Sequence, residues 1–168
     1  MLEKVAVNSL NPNVFEAIGK QWMLVTAGNE TKANTMTASW GGLGIMWGAP
    51  AATAYIRPQR YTRQFLEREN WFTLSFLPEE YRKALQYCGS YSGREEDKWA
   101  GSGLTTAYTD WGIPYVAQAK LVLVCKKQFC QRMDPACILD PEVDEKWYPA
   151  KDYHYIYIGK IVEAYQSI

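Results

Sequence analysis

The sequence predicts a mainly β fold, an antiparallel barrel with a few short inserted helices. Aromatic residues make up 14% of the 168 residues, including seven Trp and twelve Tyr, and aromatic side chains favour strands. Glycine and proline recur about every ten residues, as turn residues do between short strands. The predicted helices are too short to serve as the crossover connections of a parallel sheet.

Length and composition predict one domain over residues 1–168. Hydrophobic residues make up 48% of the chain, enough for one core without disulfides or metals. The 18 basic residues balance the 18 acidic ones, so no long-range field attracts nucleic acid or an anionic membrane. No apolar stretch approaches the ~20 residues of a membrane span, and the first residues lack a secretion signal. We therefore expect a cytoplasmic protein that binds neither nucleic acid nor membranes.

Six segments are predicted to be strands, because β-branched, aromatic and alternating residues dominate them. They are Gln21–Thr26, Thr35–Trp40, Thr53–Arg57, Phe72–Phe76, Lys120–Phe129 and His154–Ala164.

Two short helices and one helical turn are predicted between these strands. The first runs from about Tyr61 to Glu69, where Arg63 precedes Glu67 by the four residues of a helical ion pair. The second runs from Pro78 to about Tyr87, since proline is favoured at a helix start. The turn is predicted around Glu95–Ala100, before two glycines.

The cysteine and histidine pattern argues against a metal site or a histidine-dependent nucleophile. Cys125, Cys130 and Cys137 lack the close pairing of zinc ligands, and His154 is the one histidine. Without a secretion signal, free thiols are expected for these cysteines and for Cys88. His154 alternates with aromatic and branched neighbours, which favours a strand residue over a catalytic base, so no catalytic side chain is predicted.

The segment Asn34–Gly42 is the first candidate binding segment, a strand of small hydroxyl residues that ends in two glycines. Thr37 and Ser39 share one face because strand side chains alternate. Small residues and glycines also let a ligand approach the backbone closely. An ordinary half-buried strand followed by a glycine turn has the same pattern, so both interpretations stay open.

The turn Arg57–Thr62 is the second candidate, a strand end that runs into a predicted helix. Two guanidinium groups, a threonine hydroxyl and free helix amides can bind a phosphate monoester. A solvated turn with threonine as the helix cap has the same residues, but the two arginines slightly favour the anion site.

The third candidate is the loop Cys88–Lys98, where Arg94 or Lys98 can reach an anion. Hydrated surface charges are the usual interpretation of such a loop.

Taken together, these segments resemble the flavin reductase-like family of FMN-binding split barrels, in particular its flavoredoxin-like members. The matching strings follow the family's order and cover residues from about 20 to 105: Asn34–Gly42, Ile56–Thr62 with Phe65–Glu67, Phe72–Phe76, and Cys88-Gly89 through Ser92–Arg94 to Asp97-Lys98. His154–Ile161 is similar to the family's histidine-strand-glycine signature, but Asp152-Tyr153 replaces the usual Gly-Asp before the histidine. Val116–Trp147 resembles the family only loosely.

The resemblance implies an antiparallel split β-barrel of Greek-key type, a homodimer, and FMN held near the subunit interface. It implies that Met36, Thr37, Ala38 and Ser39 line the isoalloxazine ring and that Trp40 helps to close the site. It assigns the ribityl phosphate to Arg57, Arg60, Tyr61 and Thr62. Ser90, Ser92, Arg94 and Lys98 would flank the ribityl chain or the phosphate.

The activity that the resemblance implies is that of an FMN-dependent oxidoreductase. It would take reducing equivalents from NAD(P)H or a protein donor and pass them through FMN to an acceptor. The flavin itself accepts the hydride, which suits a chain with one histidine. A flavoredoxin-like electron carrier without NAD(P)H turnover and a cofactor-free split-barrel binding module are the alternatives.

Overall fold

Antiparallel strands make up most of the structure, a computed structural model that describes residues 1–167. The strands are β1 (Leu2–Val5), β2 (Met23–Gly28), β3 (Ala33–Ala38), β4 (Gly41–Met46), β5 (Ala49–Ile56), β6 (Trp71–Phe76), β7 (Thr106–Tyr108), β8 (Pro114–Val116), β9 (Leu121–Arg132) and β10 (Tyr155–Ser167). The α-helices are α1 (Thr62–Arg68), α2 (Arg82–Ser90), α3 (Lys98–Ser102) and α4 (Pro141–Trp147). Within the described residues, no helix is long and apolar enough to cross a membrane.

The main sheet has the strand order β3-β2-β6-β9-β10-β5-β4, and all of its pairs are antiparallel. β1 pairs with the end of β10, and β7 pairs with β8 as a separate ribbon. The sheet does not close on itself. β3 and β4 are therefore open edges, and the predicted mainly β antiparallel class with short helices is confirmed.

Alternating residues of the central strands build two hydrophobic clusters. Leu121, Leu123 and Cys125 of β9 lie in one cluster, whereas Val122 and Val124 lie in the other, because strand side chains point to opposite faces. The second cluster lies between the sheet and helix α2, whose Leu85 and Cys88 are buried there. This packing fixes the end of α2 against β3.

The six predicted strands are present, and the differences lie in their bounds and in the elements between them. The predicted Thr35–Trp40 strand begins and ends two residues earlier, which leaves Trp40 outside β3. The predicted helix at Pro78 begins as a 3-10 turn at Glu79–Tyr81 and becomes helical at Arg82. The helical turn predicted near Glu95 is α3, which begins three residues later because the Asp97 carboxylate caps the amides of Trp99 and Ala100.

Several elements were not predicted: β1, β4, β7, β8, α4, and a π-helical segment over Phe15–Lys20. β4 contains three glycines among six residues, a composition that lowers strand propensity. The strand forms nevertheless, because a tight turn places it beside β5. In that turn Trp47 and Gly48 both adopt positive φ, 50° and 71°. Two such residues form the tight turn that joins antiparallel strands.

Candidate functional site

Three cavities follow one another along the edge strand β3. Ala33 and Asn34 line a cavity of about 500 Å³, here the polar cavity. The residues from Met36 to Trp40 line one of about 220 Å³, the arginine cavity. Ser39, Trp40 and Gly41 line one of about 870 Å³, the apolar cavity, which shares Ser39, Trp40, Tyr55 and His154 with the arginine cavity.

The arginine cavity brings together two of the predicted segments. Met36, Thr37, Ala38, Ser39 and Trp40 line it together with Arg57 and Arg60, and Tyr55, Trp147 and His154 complete it. The Thr37 hydroxyl donates a hydrogen bond to the Leu85 carbonyl at 2.5 Å, so its oxygen can only accept further bonds. An end of β3 with small side chains thus faces two guanidinium groups.

Arg57 is held in place by groups of the chain itself. Its Nη1 lies 2.8 Å from Oδ1 of Asp152, and its Nη2 donates to the Trp147 carbonyl at 3.0 Å. Gln59 donates to the other carboxylate oxygen of Asp152 at 2.8 Å. The hydrogen bond from Gln59 and the ion pair with Arg57 lower the pKa of Asp152. The charge of Arg57 is therefore already compensated.

Arg60 and Lys98 bind the carbonyl end of α2. Nη1 of Arg60 donates to the Gly89 carbonyl at 2.9 Å, and Nζ of Lys98 donates to the carbonyls of Cys88 and Thr35 at 2.7 and 2.9 Å. The last carbonyls of a helix lack helical partners and carry partial negative charge. Both cations therefore cap the helix.

Neither cation is paired with a carboxylate in residues 1–167. Burial and, to a smaller extent, the nearby charge of Arg60 together lower the pKa of Lys98 to about 8. Burial also lowers the pKa of Arg60. Two neighbouring cations without a counter-ion favour a bound anion.

Tyr61 lies near two cations in the polar cavity. Nζ of Lys32 is 5.6 Å and the guanidinium of Arg94 is 4.9 Å from the centre of its ring, both within cation–π range. Nη1 of Arg94 also donates to the Gln59 carbonyl at 3.0 Å. The cavity is lined by acids as well, Glu95, Glu96 and Asp97, so it is polar rather than purely cationic.

A glycine brings the predicted loop close to β3. A Cβ at Gly93 would lie 2.0 Å from Oδ1 of Asn34 and 3.0 Å from the ring of Tyr61. Only a residue without a side chain fits this contact. The loop residues Arg94 and Lys98 are thereby brought to the polar cavity.

Three of the predicted site residues line none of these cavities. Thr62 is fully buried, and its hydroxyl oxygen accepts a hydrogen bond from Nδ2 of Asn34 at 2.8 Å. The N-cap of α1 is Tyr61, without a side-chain cap bond. Ser90 ends α2, and Oγ of Ser92 accepts from the amide of Arg94 at 3.2 Å. A role for Thr62, Ser90 and Ser92 in ligand binding stays a prediction.

Four residues that the sequence interpretation missed surround His154 and Arg57. The end of α4 brings Trp147 and Tyr148 to the cavities, and Asp152 and Tyr55 complete the group. Oη of Tyr148 lies 2.7 Å from Nδ1 of His154. Pro141 followed by acidic residues is a helix-start signal from which α4 could have been predicted, but nothing local indicates that the end of this helix lines the arginine cavity.

His154 lies where the arginine and apolar cavities meet, beside the ring of Trp40 at a centroid distance of 5.1 Å. Burial lowers its pKa to about 4, and the charge of Arg57 acts in the same direction. The imidazole is therefore neutral at pH 7.

The chain is similar to several solved structures. An FMN-binding domain of a flavin reductases-like enzyme from Shewanella baltica is 18% identical, with 99% of this chain and 77% of that chain covered and a TM-score of 0.71. The flavoredoxin of Methanosarcina acetivorans is 23% identical, with 98% and 76% covered and a TM-score of 0.70. An NADH:FAD oxidoreductase of Streptomyces globisporus is 18% identical, with 88% and 75% covered and a TM-score of 0.66.

These likenesses confirm the fold class, an open antiparallel split barrel. A comparison with curated proteins gives no match. The sequence pattern of the flavin reductase like domain, in contrast, matches residues 15–167. That match spans nearly the whole chain and contains β3, the residues 39–41 that follow it, the Arg57–Arg60 turn and the α2–α3 loop. The chain therefore belongs to the flavin reductase-like family.

Proposed function

We propose that the protein is an FMN-dependent oxidoreductase that takes reducing equivalents from NAD(P)H or a protein donor and passes them to an acceptor. The observation that carries this proposal is the meeting of β3 with Arg57 and Arg60 in one cavity, close to the unpaired cation Lys98. Membership of a flavin-binding family and the likeness to an NADH:FAD oxidoreductase support it.

The residues present fit FMN, which joins a flat aromatic ring system to a phosphate through a ribityl chain. The cavities change from polar, with charges of both signs, near Lys98 to aromatic and apolar near Trp40. In this proposal Met36–Ser39 and Trp40 line the ring system. Arg60 and Lys98, two neighbouring cations that share a carbonyl acceptor, bind the phosphate, and Arg57, Tyr61 and Arg94 flank them.

When bound, FMN supplies the atom that accepts and releases the hydride. The protein's part is then to bind and orient. The backbone at the end of β3 and the hydroxyl of Ser39 would contact the ring. The ion pair with Asp152 keeps the Arg57 side chain in one orientation before a cofactor binds. Trp40 and Trp147, whose rings meet edge to face at 5.0 Å, would flank this end of the ring system.

The first test is the visible absorption spectrum of the purified protein before and after FMN is added, followed by gel filtration. Flavin bands that elute with the protein support the proposal. Arg60→Ala should reduce retention of FMN far more than retention of riboflavin, which lacks the phosphate. Arg68→Ala, at the exposed end of α1, is the matched control. Absence of retained flavin together with absence of NADH oxidation in the presence of free FMN would leave the cofactor-free module.

A flavoredoxin-like electron carrier would use the same residues, and the likeness to the Methanosarcina flavoredoxin supports it as a second candidate. Steady-state oxidation of NADH and NADPH separates the two. Turnover with either nicotinamide indicates the enzyme, and retained FMN without turnover indicates the carrier.

The proposal includes a cytoplasmic homodimer. Ile45, Met46 and Trp47 are exposed at the open edge strand β4 and its turn, and contiguous apolar surface is typical of interfaces. The gel-filtration experiment tests this too, because a dimer elutes at twice the mass of the chain.

A further inference from the structure

Two buried side-chain polar atoms in residues 1–167 have no hydrogen-bond partner, Oη of Tyr157 and Nε of Arg63. Tyr157 is 1% exposed and packs in the same hydrophobic cluster as Leu121, so bulk solvent does not reach its hydroxyl. A buried donor without an acceptor costs free energy, which is why such groups are rare in folded proteins. Both atoms carry a hydrogen to donate, so both lack an acceptor.

The Cys130 thiol lies beside the Tyr157 hydroxyl. Cys130 of β9 is paired directly with Tyr157 of β10, and opposite residues of an antiparallel pair project from the same face of the sheet. Burial raises the pKa of Tyr157, and the nearby Cys130 thiol acts in the same direction. A thiol sulfur is only a weak acceptor, so it does not satisfy the hydroxyl. Cys130 is free and exposed, and small molecules can therefore reach it.

Arg63 approaches the same hydroxyl from helix α1. Burial is the largest cause of the raised pKa of Tyr157, and the positive charge of Arg63 acts against it. The guanidinium lies 4.1 Å from the centre of the Tyr155 ring, and its Nη2 pairs with Glu67. Neither contact uses Nε. Arg63 and the exposed Cys130 thus both lie close to the Tyr157 hydroxyl.

We propose that Cys130 is a site of oxidation by a hydroperoxide, and that the Tyr157 hydroxyl stabilises the resulting sulfenic acid by donating a hydrogen bond to its oxygen. Oxidation adds to the sulfur the acceptor that the buried hydroxyl lacks. Nε of Arg63 is a second donor in the same region. This modification site does not rest on the proposed function, because none of its residues lines the three cavities along β3 except through neighbours in the chain.

The hydroperoxide supplies both the oxygen and the oxidising power. The sulfur of Cys130, as the thiolate, attacks one peroxide oxygen, and the S–O bond forms as the O–O bond breaks. The sulfur loses two electrons, which reduce the peroxide. The proton that the thiol releases ends on the departing oxygen, as water from hydrogen peroxide or as an alcohol from an alkyl hydroperoxide. The sulfenic oxygen then accepts the hydrogen bond from Tyr157.

The test measures how long the sulfenic acid survives. Native protein is exposed briefly to hydrogen peroxide, catalase removes the excess, and dimedone, which traps sulfenic acids, is added after increasing delays before peptide mass spectrometry. Cys137 is the matched control, because it is also free and exposed but does not act on the Tyr157 hydroxyl. The variant Cys137→Ser reports on Cys130 alone, and Cys130→Ser reports on Cys137 alone. We expect a half-life about fivefold longer at Cys130, the effect of one hydrogen bond. Equal half-lives, or no adduct at Cys130, would overturn the proposal.

Tyr157→Phe keeps the ring in the core and removes only the hydroxyl, so it should shorten the half-life at Cys130 about fivefold. Tyr155→Phe removes a hydroxyl from the same face of β10, opposite Arg132 rather than Cys130, and should leave the half-life unchanged. An unchanged half-life in Tyr157→Phe, or the same loss in both variants, would exclude Tyr157 as the donor. In the reduced protein Tyr157→Phe should not lower the urea midpoint, because it removes an unpaired polar group. A lower midpoint would mean that the hydroxyl already has an acceptor, which would also overturn the proposal.

Discussion

Arg60 and Lys98 donate hydrogen bonds to one acceptor, the carbonyl oxygen of Cys88, at 3.4 and 2.7 Å. The two cations approach each other there without a carboxylate between them, and α2 supplies only partial negative charge. Burial is the larger cause of the lowered pKa of Lys98, about 8, and the neighbouring charge of Arg60 adds to it. An anion that binds beside the two cations should therefore change the pKa of Lys98.

The first prediction concerns the pH dependence of FMN binding. Above a pH of about 8 Lys98 loses its proton, so the attraction to a phosphate weakens. The ratio of FMN to riboflavin affinity should therefore fall between pH 7 and 9, as measured by fluorescence titration. In Lys98→Met the ratio should be low and flat across this range. A ratio that falls equally in both proteins would show that another group titrates.

The second prediction compares the two arginines. Arg57 is neutralised by Asp152, whereas Arg60 has only carbonyl partners. Arg60→Ala should weaken FMN by about 1.5 to 3 kcal/mol, the range for hydrogen bonds to charged groups, and Arg57→Ala by less. Affinities measured after equilibrium dialysis check this order, with riboflavin as the ligand without phosphate. The reverse order would assign the phosphate to Arg57.

The local sequence pattern predicts the segments of the site because the groups that could bind a ligand in each segment are close together in the sequence. Met36–Ser39, at a strand end, and Arg57 and Arg60, in a turn, line the same cavity. Asp152, the partner of Arg57, lies 95 positions later in the chain, and no local rule connects them.

Burial also decides which hydroxyls remain available, and local pattern does not predict it. Thr62 follows two arginines as a helix-capping residue should, yet packing of α1 against β3 turns its hydroxyl toward Asn34. The strand β4 is not predicted for a related reason. Its glycines have low strand propensity, whereas the turn at Trp47 and Gly48 places it beside β5. Tertiary contacts override local propensity in both cases.

The third prediction tests the packing at the centre of the sheet. A Cβ at Gly159 of β10 would lie 2.7 Å from the ring of Phe72 and 2.9 Å from Cβ of Cys125. Gly159→Ala should therefore lower the free energy of unfolding by about 1 to 3 kcal/mol, as overpacking does in well-packed cores. Urea denaturation measures the change. Gly44→Ala, where the added Cβ meets nothing within 4 Å, should change stability far less.

The fourth prediction concerns the thiols. All four cysteines are free; Cys130 and Cys137 are exposed, and Cys88 and Cys125 are buried. Burial raises the pKa of Cys88 and of Cys125, so their thiolate fraction at neutral pH is small. Iodoacetamide should label Cys130 and Cys137 of the native protein first, as followed by peptide mass spectrometry. Rapid labelling of Cys88 at neutral pH would instead indicate a reactive thiol beside Arg60 and Lys98.

The last prediction follows from the buried, neutral His154. Its pKa is about 4 in the folded protein and about 6.5 in an unfolded chain. Between these values the unfolded state binds more protons, so this residue's contribution to stability is present above pH 6.5 and is lost as the pH falls toward 4.

His154→Gln removes the titrating group, so the wild type should lose stability relative to this variant between pH 7 and 4, by about 3 kcal/mol over the full range. Urea denaturation of both proteins at several pH values measures the difference. Parallel curves would mean that the imidazole becomes charged inside the folded protein.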